Sequence, residues 1–145
     1  ELAKEFPQYA DLIQAYDTYW EESLTLPYEE TIQIVRELKQ ADWSLHLLSN
    51  FSMEKFEIVR NRYGFFDLFD SMIISGEHKT VKPEKAIFDI TLQRIGYRAE
   101  ECLFIDDSLP NIETAHNMGF HVIHYISPTQ LRADLNKLDI RGINQ

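Results

Sequence analysis

From residue 43 onward, short apolar runs alternate with stretches in which apolar residues return every three or four positions, the pattern of strands interleaved with amphipathic helices. Trp43 to Leu48, ending in Ser49 and Asn50, predicts a first strand with polar residues at its carboxyl end. Ser71 to Ser75 predicts a second strand, Cys102 to Ile105 a third and Val122 to Ile126 a fourth. Ser52 is placed to cap a helix whose stripe, Phe56, Val59 and Tyr63, stops at Gly64. Ile87, Thr91 and Ile95 form a second spine ended by Gly96, and Ile112, Ala115 and Met118 lead to Gly119. Leu131, Leu135 and Leu138 mark a last helix. Each connection is long enough for a crossover, so the pattern specifies a parallel sheet covered on both faces.

Upstream, residues 1–22 read as a helix with the aromatic-rich face Phe6, Tyr9, Leu12, Ile13, Tyr16, Tyr19 and Trp20. Such a stripe suits plain packing or a face toward a ligand. A further helix opens near Pro27 and carries Ile32, Val35 and Leu38 on one face through to Lys39.

The chemistry gathers at strand ends. Leu103 to Asn111 runs from an apolar strand into the adjacent carboxylates Asp106 and Asp107 and then into a proline-initiated helix. Two neighbouring acids at such a mouth repel each other unless a cation shares them, and oxygen-only ligation suits Mg²⁺. The competing reading makes them turn or capping residues. A polar loop, Gly76 to Val81, delivers Lys82 directly before Pro83. With proline at a first helical position, Lys82 falls just outside a helix N-terminus, where an anion is favoured. In a parallel sheet all carboxyl ends share one side, so Ser49 with Asn50, Lys82, and Asp106 with Asp107 can converge. A hydroxyl, an ammonium and a metal-binding carboxylate pair describe a phosphate site. Singly, Ser49 reads equally as a turn residue, Lys82 as a solvated cation and Asn111 as a helix-start residue.

Composition narrows the picture. The chain has 145 residues with 44% apolar and 12% aromatic content, enough for one folded core. Fourteen basic against 24 acidic residues give a formal net charge of −10, which argues against nucleic-acid or anionic-membrane partners. The single cysteine, Cys102, fits a reducing compartment and reads as a small buried hydrophobe. With no long apolar run and no signal-like N-terminus, a cytoplasmic location is the default expectation. His121 and His124 flank a strand, and His46, His78 and His116 have no matching partners, so the histidines read as structural or exposed. The chain opens at Glu1, without methionine, midway through a helical pattern.

Leu47-Leu48-Ser49-Asn50, then Val81-Lys82-Pro83-Glu84 with Ile87-Phe88, then Phe104-Ile105-Asp106-Asp107-Ser108 with Asn111, Ala115 and Gly119, resemble in order the second, third and fourth motifs of the haloacid dehalogenase superfamily of hydrolases. The resemblance implies an α/β, Rossmann-like three-layer sandwich with a parallel sheet. It implies residues 1–26 as the remnant of an α-helical cap and residues 27–145 as the core. It further implies Ser49 binding a phosphoryl group, Asn50 lining the site, and Lys82 stabilising both the phosphoryl group and a nucleophile. Asp106 and Asp107 would hold Mg²⁺, and the substrate would be a small phosphorylated metabolite hydrolysed through an aspartyl phosphate.

The family's first motif, an Asp-x-Asp whose first aspartate is the nucleophile, has no counterpart before Ser49. In the family that strand lies between the strands that here are Cys102 to Ile105 and Trp43 to Leu48, and without it two edges face a gap. On that reading the chain is a truncated form of a longer hydrolase, inactive alone. Three alternatives compete. A metal-free haloacid dehalogenase is disfavoured by the acidic pair. A receiver domain has its acidic pair and lysine in the reverse order. A non-catalytic module of the same fold would account for the missing motif. Substrate identity and oligomeric state are not legible.

Overall fold

A computed structural model describes residues 4, 7–20, 27–140 and 142. Strands and helices alternate from β1 onward, as the periodicity predicts. In order they are α1 (Ala10–Tyr19), α2 (Glu29–Gln40), β1 (His46–Ser49), α3 (Met53–Arg62), β2 (Ser71–Ile74), the single turn α4 (Ser75–His78), α5 (Lys85–Ile95), β3 (Leu103–Asp106), α6 (Leu109–Asn117), β4 (His121–His124) and α7 (Pro128–Lys137).

The strands form two parallel pairs. In one, His46 lies opposite Ser71 and Ser49 opposite Ile74. In the other, Leu103 lies opposite His121 and Asp106 opposite His124. Among the described residues β1 and β3 are not hydrogen-bonded to each other, so the parallel order is not one continuous sheet.

Alternation along the strands sends successive side chains to opposite faces. Ile73 packs with Ile87, Phe88, Ala115 and Phe120 under α5 and α6, and Phe104 and Val122 join that cluster. Leu103 and Ile105 point the other way and join Ile34, Ile123, Leu131 and Leu135 beneath α2 and α7. Ile74 enters a third cluster with Phe56 and Phe66 beside α3. Helices therefore cover both faces, which is the layered α/β architecture the pattern implied.

Several boundaries move. Strands one and four are shorter and shifted, and strand three is shifted by one residue at the same length; His121 and His124 are thereby the first and last residues of β4 rather than flanking it. The second strand stops at Ile74 because Ser75 opens a helical turn. In α2 the fully buried position is Ile34, with Ile32 and Glu37 beside it. Glu37 is tolerated there because Arg132 on α7 pairs with it at 2.7 Å. Leu138 caps α7 from outside and is exposed, whereas Leu131 and Leu135 are buried.

In the N-terminal segment Tyr9 and Leu12 are exposed and Trp20 is buried. Phe6 and the side chains of Ile13, Tyr16 and Tyr19 lie outside the described residues. Cys102 donates its thiol to the Arg98 carbonyl, and burial with nearby Glu101 and Glu100 pushes its pKa up. The raised pKa favours the thiol form, and Cys102 is half-buried rather than the small buried hydrophobe expected from the sequence. Among the described residues no helix is long and apolar enough to cross a membrane.

Candidate active site

The site is built where β1 and β3 end. Asp70 N–H donates to the Leu45 carbonyl at 2.7 Å, which turns that carbonyl toward β2. Backbone groups alternate sides along a parallel strand, so the Leu48 carbonyl, three residues on, faces away from β2. There it accepts a hydrogen bond from Lys82 Nζ at 3.0 Å. The same ammonium lies 2.6 Å from Asp106 Oδ2, with the two side chains only 11% and 6% exposed. Its charge also sits 5.8 Å from the centroid of the Phe104 ring. An ammonium has three N–H groups, and two are engaged here.

Lys82 is brought there differently from the sequence expectation. Pro83 does not open the following helix: α5 begins at Lys85 with Glu84 as its N-cap, and Lys82 sits in the preceding turn. Glu84 N–H donates to the Val81 carbonyl at 2.8 Å, and buried Thr80 donates its hydroxyl to the Glu84 carboxylate at 3.0 Å. The Lys82–Pro83 bond is cis. No helix N-terminus therefore stands immediately behind Lys82, and its own ammonium provides the positive charge.

Asp106, the last residue of β3, also accepts from Ser108 N–H and from Asn111 Nδ2, both at 2.9 Å to Oδ1. Asn111 is buried one turn into α6, so its amide serves as a floor for Asp106. Asp107 differs: its side chain is exposed and makes no hydrogen bond or ion pair among the described residues. Its backbone carbonyl accepts from His124 Nε2 at 3.0 Å, tying the loop to the end of β4. The hydroxyl of Ser49 likewise has no partner among the described residues.

Asn50 pairs with the backbone of Lys82. Its Nδ2 donates to the Lys82 carbonyl at 2.9 Å, and its Oδ1 accepts from Lys82 N–H at 2.8 Å. The next residue, Phe51, is held by buried Ser75, whose Oγ accepts from Phe51 N–H at 3.0 Å and donates to its carbonyl at 3.3 Å. Gly76 N–H donates to that carbonyl as well. A Cβ on Gly76 would come within 2.9 Å of both Met53 N and Phe51 O, so only glycine fits so close to this loop.

The sequence candidates thus fall into one neighbourhood, with Lys82 and Asp106 in direct contact and Asp107 turned outward. Ser75 and Gly76 were missed, although Ser75 carries the signal that singled out Ser49, a hydroxyl at the carboxyl end of an apolar strand.

For a metal, the donors are oxygens, as Mg²⁺ requires. Asp107 offers a free carboxylate. Asp106 has three of its roughly four lone-pair directions already taken. Among the described residues no group of three or more His, Cys, Asp or Glu converges, so these residues would supply only part of an octahedral shell. A surface hollow of about 530 Å³, walled by Glu57, Arg60, Asn61, Gly64 and Asp67, contains none of the site residues.

The family model for haloacid dehalogenase-like hydrolases matches residues 2–119. A sesquiterpene phosphatase of Aspergillus oryzae is 26% identical over 112 residues, covering 77% of this chain and 57% of the relative. An (S)-2-haloacid dehalogenase of Pseudomonas putida is 30% identical over 96 residues, covering 66% and 42%. The chain thus spans about half the length of these two relatives. A solved HAD-family enzyme of Bacteroides thetaiotaomicron, in complex with magnesium and inorganic phosphate, superposes with a TM-score of 0.63 at 28% identity, covering 74% of this chain and 57% of that one. With a family model matched over most of its length and the strand-end constellation in place, the chain belongs to the haloacid dehalogenase-like hydrolases.

Proposed function

We propose that these residues form the core of a Mg²⁺-dependent phosphatase acting on a small phosphorylated metabolite. The observation that carries the reading is the Lys82 ammonium, fixed between the Leu48 carbonyl and Asp106 with one N–H to spare. Ser49 follows Leu48 and Asp107 follows Asp106 in the chain, and the side chain of neither has a partner among the described residues. The phosphatase among the relatives, and the magnesium and phosphate in the Bacteroides structure, support the same chemistry.

In this mechanism Ser49 donates its hydroxyl and Lys82 its remaining N–H to phosphoryl oxygens, orienting the group and countering its charge. Asp106 holds Lys82 in place, and Asn111 with Ser108 N–H holds Asp106. Asp107 is the residue that would bind Mg²⁺, with Asp106 bordering it, and the ion when bound supplies further positive charge to the transferring group. The nucleophile is an aspartate on a strand lying between β1 and β3, outside these residues. Its carboxylate oxygen attacks phosphorus as the bond to the substrate oxygen breaks, and water then cleaves the acyl phosphate to release inorganic phosphate. Residues up to 26 are read as the end of a helical cap. In support, Trp20 meets Phe51, next to Asn50, edge-on at 5.9 Å between ring centroids.

The test uses the intact enzyme. Inorganic phosphate should be released from phosphorylated metabolites, the activity should be lost on chelation and restored by Mg²⁺, and Asp107→Asn should lower turnover by roughly a hundredfold or more with unchanged thermal unfolding. Retained Mg²⁺-dependent turnover in that variant would refute the metal assignment. The likeness to a haloacid dehalogenase favours one other reading, and halide release from a 2-haloacid unaffected by chelation would establish it instead.

A further inference from the structure

We infer that Asn50 is a positioning residue, acting on the phosphoryl group only through Lys82. This rests on the reading of Lys82 as the phosphate-binding cation. Asn50 presents its amide donor to the carbonyl, and its amide acceptor to the N–H, of one and the same residue, at 2.9 and 2.8 Å. The assignment of oxygen and nitrogen follows from that complementarity, since a flipped amide would face donor to donor and acceptor to acceptor.

The geometry explains why such a grip is needed. Lys82 lies in a turn, outside both β2 and α5, and Pro83 after it has no N–H. The amide of Asn50 takes the place of the missing backbone partner and fixes the position and rotation of the Lys82 peptide units. The Leu48 carbonyl, two residues earlier on the same strand end, then receives the ammonium. One strand terminus holds Lys82 at both extremities, its backbone and its charge. A flexible four-carbon stem anchored at only one end would let the ammonium wander from the phosphoryl position. The strand end is itself immobilised, because Ser75 holds both polar backbone groups of Phe51. The consequence is an unbroken line of contacts from the end of β2 through Phe51 and Asn50 to Lys82 and on to Asp106.

A double-mutant cycle on the intact enzyme tests this, read as kcat/KM for p-nitrophenyl phosphate and as the affinity for inorganic phosphate by calorimetry. Asn50→Ala should lower both by roughly tenfold, the range expected when a catalytic group is misplaced. In a Lys82→Ala background the same change should alter neither by more than about twofold, because the residue it acts through is gone. Asn50→Ser, which keeps one hydrogen-bonding group, should fall between wild type and Asn50→Ala, and it carries the test if Asn50→Ala folds poorly. Equal losses in both backgrounds would mean that Asn50 touches the ligand directly and would overturn the inference, as would an Asn50→Ala enzyme with wild-type values. Phosphate binding untouched by Lys82→Ala would instead bring down the reading of the site on which the inference stands.

Discussion

A lysine–aspartate pair stands near each end of β1. At the amino end Lys39 meets Asp70 at 2.5 Å, and at the carboxyl end Lys82 meets Asp106 at 2.6 Å. Charge and distance are alike. Exposure is not: the side chains of the first pair are 36% and 43% exposed, those of the second 11% and 6%. In the outer pair, hydrogen bonds from Lys39 and then from Leu45 N–H hold the Asp70 carboxyl below its ordinary range, but water screens the attraction. The inner pair has given up its hydration, and Ser108, Asn111 and the Leu48 carbonyl replace it. A buried ion pair is weak evidence for stability, since apolar residues of the same size often serve as well. The same interaction therefore serves as surface decoration at one end and, on the functional reading above, as a charge held ready for a ligand at the other.

The sharpest way to break this contrast is to remove the carboxylate of the inner pair. Asp106→Ala leaves the Lys82 ammonium buried with only the Leu48 carbonyl, and unfolding free energy should fall by about 3–5 kcal/mol. The denaturant midpoint reads this directly, and a loss below about 1 kcal/mol would mean that the mouth is wetter than its burial indicates. Lys39→Ala should cost no more than about 1 kcal/mol by the same measurement. If the two losses matched, burial would not be what separates the pairs.

The smallest effect is a slope, and it belongs to His46 at the outer end. Its Nδ1 is 2.8 Å from Ser71 Oγ, and its Nε2 is enclosed without a partner. Burial lowers its pKa from 6.5, and Lys39 adds to this, while Asp70 opposes it. The folded protein thus takes up this proton less readily than the unfolded chain. Stability should decline as pH falls below 6.5 and be fully regained above it. His46→Gln should flatten that decline in urea midpoints taken on either side of pH 6.5, and an unchanged slope would exclude His46 as its source.

Much of this was legible because it is local. Ser52 caps α3 by accepting from Lys55 N–H, and Gly96 takes the left-handed conformation that ends α5. The apolar runs pair as parallel strands with alternate residues on opposite faces, as a period of two requires. The neighbourhood of Ser49, Lys82 and Asp106 was legible for a topological reason: parallel strands joined by crossovers bring their carboxyl ends to one side, whatever the loops do.

The partners within that neighbourhood were not legible. The turn around Pro83 moved the start of α5 to Lys85, because proline fits equally well in a turn before a helix as in its first position. Asn50 and Lys82 are 32 residues apart, and no periodicity encodes an amide finding one particular backbone N–H and carbonyl. Which of two adjacent carboxylates pairs with the lysine and which stays free depends on how β3 ends against β1. Periodicity and chain connectivity alone determined most of the elements, their parallel sense and the end of the strands at which the candidate residues gather. Only the tertiary structure decided that Asp106 holds Lys82, that Asn50 grips its backbone and that Asp107 is left open, because hydrogen bonds formed across long loops are chosen by three-dimensional fit.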